Sequence, residues 1–308
     1  MDPGRRAHYG DFYGQADRGR PADSSDGRAV AVVHGNCQAE SLRVLLAGSP
    51  TFAYRTVRVP PVHELTGDDL AALHALLGRA ALLVSQPVRD DYRDLPLGTR
   101  QLAAGLAPGT PVLRWPVVRY DGLYPYSAIV RHPSDPSAVP AVVPYHDLRT
   151  LAVAAGLPRA ATAEPEVLRA AAAASVAELA RREHDTDVGV SDLLLGLGDE
   201  AAHTLNHPGN PVLVALARRV QTALRMPADA ADPGRVLLGG VRAPLEESVV
   251  SALRLTAAPR AHWLVDGRTV ADRDVVAAQL RWYADHPQWI EAGLSRHAPR
   301  MALLGVSG

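Results

Sequence analysis

The 308-residue sequence has no lysine, one cysteine, two phenylalanines and no long apolar run. Each shortage excludes something. A single cysteine, Cys37, leaves no intramolecular disulfide and no zinc site built from several thiolates. With every basic Lys/Arg position filled by arginine, a phosphate site must use guanidinium forks, backbone N–H groups or histidine. No stretch approaches the roughly 20 apolar residues that span a bilayer. No HExxH and no His/Cys cluster with ligand spacing is present, so no metal is expected. A formal net charge of −1 provides neither a nucleic-acid surface nor a polybasic membrane anchor. The remaining composition, 47% hydrophobic and 21% charged, is that of a globular chain long enough for one large domain or two small ones.

Residues 1–27 are polar and have no apolar h-region, which predicts a disordered leader rather than a secretion signal. With no spanning segment either, a cytoplasmic location is expected. From residue 28 the pattern alternates. The apolar run Ala29–Val33 predicts a strand buried on both faces, and Leu42, Leu45 and Leu46 place one apolar face on a following helix stopped by Gly48-Ser49-Pro50. Strands over Phe52–Val59, Ala80–Pro87 and "TPVLRWPVV" alternate with helices in "TGDDLAALHALLG" and "TRQLAAGLAPG". This spacing predicts an α/β fold with an open, mostly parallel sheet in the N-terminal half.

Past Val118 a proline-rich loop region gives way to a helix-rich second half. Helices are expected over His146–Ala155, Glu164–Glu183, Gly189–Leu195, Pro211–Leu224 and "APLEESVVSALRL". The tail from about Ala257 predicts a hairpin turning at Asp266-Gly267 and a Trp-rich helix near Trp282–Trp289. The expected organisation is a leader (1–27), a domain (28–256) and a C-terminal extension (257–308).

The lone thiol sits where the first strand hands over to the first helix, in "VVHGNCQAE". In open α/β sheets ligands collect at such carboxyl ends. A helix N-terminus favours thiolate and offers N–H groups to an oxyanion, so Cys37 reads as a nucleophile elbow with sulfur in place of oxygen. The bland alternative is a small buried hydrophobe, but the polar neighbours Asn36 and Gln38 argue against it. Gln86, at the end of the third strand, is placed to emerge on the same edge and complete an oxyanion hole, or else to make a strand-end hydrogen bond. A base must be found among twelve histidines. His207 lies in a turn after Asn206, His146 stands beside Asp147, and His34 is close in sequence but belongs to the strand. Arg89, Arg93, Arg119 and Arg131 lie in loops beyond the strands, where they can hold phosphates or remain solvated.

Read in order, "VVHGNCQAESLRVLL", "LLVSQPVRDDYR", "VLRWPVVRYDGLYP", "PYHDLRTLAVAAG", "DVGVSDLLLG" and "HTLNHPGNPVL" resemble the WcbI-type polysaccharide-biosynthesis proteins over roughly residues 29–225. The resemblance implies an acetyltransferase-like enzyme that binds coenzyme A. It implies roles at the site for Cys37, Gln38, Gln86, His146 and His207, with either histidine as base. The order Cys37, Gln86, His207 also parallels the SGNH-hydrolase plan, an analogy at fold level. Asn36 and Asn206 join the substrate-binding candidates, and Arg89, Arg93 and Arg131 the coenzyme-binding ones. The leader and the Trp-containing tail have no counterpart in the resemblance.

Three functions follow from these residues. The first is acyl transfer from acyl-coenzyme A or another acyl thioester to a sugar or natural-product hydroxyl or amine. The second is hydrolysis by the same residues, and the third a non-catalytic binding module. Expected partners are small-molecule donor and acceptor, with a carrier protein or a second copy of the chain possible.

Overall fold

Val30–His34 forms the central strand β1, buried along its whole length because it is covered on both faces. The computed structural model describes residues 3–14, 27–132, 134–135 and 138–306. Contacts divide the chain into two units. The first comprises Met1–Val117, Ala180–Ser191 and Asn210–Leu237; the second comprises Val118–Leu179, Asp192–Gly209 and Leu238–Gly308. This differs from a 28–256 domain with an appended tail.

In the first unit, Pro3–His8 is helix α1 and Cys37–Ala47 is α2. Strands β2 (Arg55–Val57), β3 (Ala80–Ser85) and β4 (Val112–Arg114) join β1 in a parallel sheet of order β2-β1-β3-β4. Because β2 and β3 flank β1 on opposite sides, the chain reverses its winding there, the kind of switch point at which open α/β sheets place their ligands. Val30, Val32 and Leu83 pack against Leu73, Leu76 and Leu77 of α3 (Leu70–Leu77). Leu42, Leu45 and Leu46 of α2 are buried, as expected, and α2 packs against the helix Asn210–Ala223.

The same core holds a surprise. Tyr9 and Phe12, from the segment expected to be disordered, belong to it, Phe12 being only 2% exposed. Tyr13 Oη donates to Asp69 Oδ1 at 2.6 Å, and Arg5 Nη2 donates to Asp69 Oδ2 at 3.1 Å. Burial works against the Asp69 charge, but hydrogen bonds from Tyr13 and Thr66 outweigh it and hold the carboxyl below its usual range. Two aromatic anchors and a buried acid order residues 3–14. The rest of the expected leader, 15–26, lies outside the described residues.

Other differences have local causes. Strand β2 is three residues rather than eight, since it sits on the sheet edge and runs into Pro60-Pro61. The helix expected over Gly189–Leu195 is one 3₁₀ turn, Ser191–Leu193, because Glu183 takes the backbone N–H groups of Val190 and Ser191. His146 is strand, not helix: Asp147 caps the helix Leu148–Ala154 by accepting the Thr150 N–H at 2.8 Å.

In the second unit the tail is integral. The hairpin His262–Val265/Arg268–Ala271 turns at Asp266-Gly267, both at positive φ, as a two-residue turn requires. The expected single Trp-rich helix is two, Asp272–Asp285 and Gln288–Leu303. The break falls at His286, the residue before Pro287, which proline pushes out of helical geometry. Both helices pack on Leu148–Ala154. No helix among the described residues is long and apolar enough to cross a membrane.

Candidate active site

Asn36 is the N-cap of α2. Its Oδ1 accepts the Gln38 N–H at 2.9 Å, leaving Cys37 as the first helical residue. Register sets the rest. His34 pairs with Ser85 across β1 and β3, so Gln86 emerges beside Gly35 and Asn36. Its backbone N–H donates to His34 O at 2.9 Å, and its side chain reaches over the β1–α2 turn. Gln86 Oε1 accepts the Asn36 N–H at 2.8 Å, while Nε2 donates to Gln38 Oε1 at 3.2 Å and to Pro116 O at 3.5 Å. Ser85 and Thr99 fix the Gln86 carbonyl from below, with Thr99 Oγ1 donating at 2.6 Å. A side chain at Gly35 would run into Gln86, which explains glycine there. Gln86 is therefore a brace for the turn that presents Cys37, with both amide ends engaged.

Cys37 is half-buried and not disulfide-bonded. The expectation that its helix position favours thiolate is not met. Burial pushes its pKa up to about 11, outweighing the N–H groups of Cys37 and Gln38, and the Glu64 carboxylate adds to the rise. At rest it is a thiol. Arg5 pairs with Glu64 at 3.6 Å.

Other candidates in this unit are simply located. Burial lowers the pKa of His34, 1% exposed, to about 4. Arg89 is exposed. Arg93 Nη1 donates to His63 O at 2.7 Å from a residue in the left-handed region.

His146, His207, Asn206 and Arg131 belong to the second unit. His207 is half-buried, with its pKa lowered by burial to about 4, so its imidazole is neutral at pH 7. Tyr145 stands edge-on to it at 6.2 Å, and Tyr145 Oη donates to Asn206 Oδ1 at 2.8 Å. His146 is enclosed. Its Nδ1 meets Tyr283 Oη at 2.5 Å, and Trp289, Tyr283 and Trp282 surround the ring. Burial lowers its pKa to about 3, and the charge of His297 adds to this. Asp147, its neighbour in sequence, serves instead as helix cap and partner of Arg149. The aromatic cage comes from the tail, and nothing in the local pattern around His146 announced it. Arg131 is exposed. Among the described residues no group of three or more His, Cys, Asp or Glu side chains could hold a metal.

The first unit thus defines a parallel α/β protein with a thiol at its switch point. A match to the family "Polysaccharide biosynthesis enzyme WcbI" runs over residues 30–229. The chain belongs to the WcbI family of polysaccharide biosynthesis enzymes. In fold it is similar to a solved WcbI structure, described as native protein without a disulfide bond between coenzyme A and a cysteine. That likeness has a TM-score of 0.75 and 19% identity, covering 91% of this chain and 99% of the other. No curated protein is significantly similar in sequence.

Proposed function

We propose that the protein is an acyltransferase that takes its acyl group from acyl-coenzyme A, or another acyl thioester, and passes it to a hydroxyl or amine. The observation that carries this reading is the half-buried Cys37 thiol on the first turn of α2, its turn clamped by Gln86. A thiol with a pKa near 11 must lose its proton as it attacks, which calls for a general base. The family resemblance offers two histidines for that role: His207, neutral at pH 7 and half-buried, and His146, 2% exposed and engaged by Tyr283.

In the first step the thiol proton passes to the base and Sγ bonds to the acyl carbon. The donor's C–S bond then breaks, and the departing thiolate takes the proton from the base. In the second step the acceptor oxygen or nitrogen attacks the acyl-Cys37 thioester, giving its proton to the base, and the Cys37 thiol is restored. The oxyanion of each step falls to the Asn36 side-chain amide and the Cys37 backbone N–H rather than to Gln86, whose amide is occupied. Arg89, Arg93 and Arg131 remain our candidates for the coenzyme's phosphates.

Intact-protein mass spectrometry after incubation with acetyl-, malonyl- and longer acyl-coenzyme A tests this. An acyl adduct on the wild type that Cys37→Ala lacks is expected, and it should discharge onto added sugars or amines. Discharge to water alone identifies a hydrolase. No adduct, with turnover retained in Cys37→Ala, refutes the nucleophile.

A further inference from the structure

Residues 62–64, in the loop after β2, are tethered one by one. The Val62 N–H donates to Gly35 O at 2.8 Å, which sets the segment against the turn that leads into Cys37. Two guanidiniums hold the next two carbonyls: Arg93 Nη1 donates to His63 O at 2.7 Å, and Arg5 Nη2 to Glu64 O at 2.9 Å. Arg5 also pairs with the Glu64 carboxylate at 3.6 Å and with Asp69 at 3.1 Å. It belongs to α1, on an arm whose Tyr9 and Phe12 share a core cluster with Val62 and Leu65. The arm lies ahead of the family match, which begins at residue 30, so it is a part of the chain the family pattern does not describe.

The Glu64 carboxylate acts on the Cys37 thiol and opposes its ionisation. Arg5 and Tyr9 face Glu64 from the arm, and His63 Nε2 lies 3.9 Å from its Oε1. On α2, Glu40 stands three residues past Cys37, but Arg43 at 2.7 Å and Arg58 at 3.2 Å take up its charge. Asp69 is engaged by Tyr13 and Thr66 besides Arg5. A cation beside a carboxylate offsets part of that carboxylate's field at any third group, so the Arg5 contact weakens what reaches the sulfur.

We infer that Arg5 is a positioning residue for Cys37: from the N-terminal arm it fixes Glu64 beside the β1–α2 turn and offsets the carboxylate's charge there. The docked arm thereby keeps the thiol more reactive than the same turn would be without it. The inference rests on Cys37 as the reacting group of the proposed transfer, but its readout, alkylation, needs no acyl donor.

The test is the rate at which iodoacetamide alkylates Cys37 in the full chain at pH 8 to 9, above the range in which imidazoles titrate. Burial holds Tyr9 and Tyr13 above their usual range, so both stay neutral there. Arg5→Gln should slow the reaction about threefold, the scale of a partly exposed ion pair. Arg5→Lys keeps the charge and should restore most of the rate. Glu64→Gln should speed alkylation, and in that background Arg5→Gln should change nothing further. A merely structural role would act the other way, since a loosened segment exposes the sulfur and speeds the reaction with or without Glu64. Melting curves check that each variant is folded, and Arg5→Met is the second charge-free variant should Arg5→Gln not fold. Two results from folded variants overturn the inference: removing the Arg5 charge leaves the rate unchanged or raises it, or slows it equally in the Glu64→Gln background. Acyl loading should follow the same order of rates. Failure of every acyl donor to load counts against the transfer reading, while the alkylation rates still decide the role of Arg5.

Discussion

Gln86 and Asn36 are joined across the ends of two parallel strands: the Asn36 backbone N–H donates to Gln86 Oε1 at 2.8 Å. The bond ties the turn carrying Cys37 to the end of β3. Gln86→Ala removes the acceptor of that N–H and one donor to the Gln38 side-chain Oε1, at a cost of about 2 kcal/mol. Urea denaturation should show the loss, and the alkylation rate of Cys37 should change with it, because the turn that holds the thiol relaxes.

Gly35 is the other half of this contact. Gly35→Ala drives a methyl group into the Gln86 side chain and should destabilise the fold. Paired with Gln86→Ala it no longer meets that side chain, and only the strain of a substituted residue at φ +158° remains. The double variant should then lose less stability than the sum of the singles, a coupling that a denaturation cycle measures.

The Cys37 thiol should react slowly with iodoacetamide at neutral pH, its rate climbing toward a midpoint near pH 11. Burial is the main cause and the Glu64 carboxylate a contributor. Glu64→Gln removes a negative charge that opposes thiolate, so it should move the midpoint down and raise the rate at any fixed pH below it. A midpoint below the ordinary thiol value would contradict the burial argument.

Acid should unfold the protein through its buried imidazoles. Burial lowers His34 and His207 to about 4 from an ordinary 6.5, so the unfolded chain takes up protons there that the native one refuses. Their stabilisation is complete above about pH 6.5 and drains away as pH falls toward 4. Denaturation at pH 7 and pH 5 should show the difference, and His34→Leu should reduce it.

The N-terminal arm should matter to stability. Phe12 is 2% exposed in the core around α3, so Phe12→Ala should cost about 3 kcal/mol and lower the melting temperature. An unchanged melting curve would mean that residues 3–14 do not hold the core.

Local chemistry made much of the first unit legible. The apolar run Ala29–Val33 reads as a strand covered on both faces, and Val30–His34 forms one; Gly48 and Gly78 mark real helix ends. The position of Cys37 at a strand-to-helix junction follows from the same pattern. The arm is not legible along the chain, because two aromatic anchors in a polar segment give no periodicity, yet they suffice once a core is present to receive them. Its place at a strand end makes Gln86 a candidate for an oxyanion hole or a strand-end hydrogen bond, while its part as a brace depends on register.

Strand and helix periodicity, the capping residues and the solitary thiol at the first turn of α2 were fixed by neighbours a few positions away, and so could be read along the chain. Three matters were settled only by residues distant in sequence: the protonated resting state of Cys37, the aromatic enclosure of His146 by Tyr283 and Trp289, and the hold of Arg5 on Glu64. Burial and pairing are properties of the packed molecule, since they depend on what the rest of the chain lays against a group.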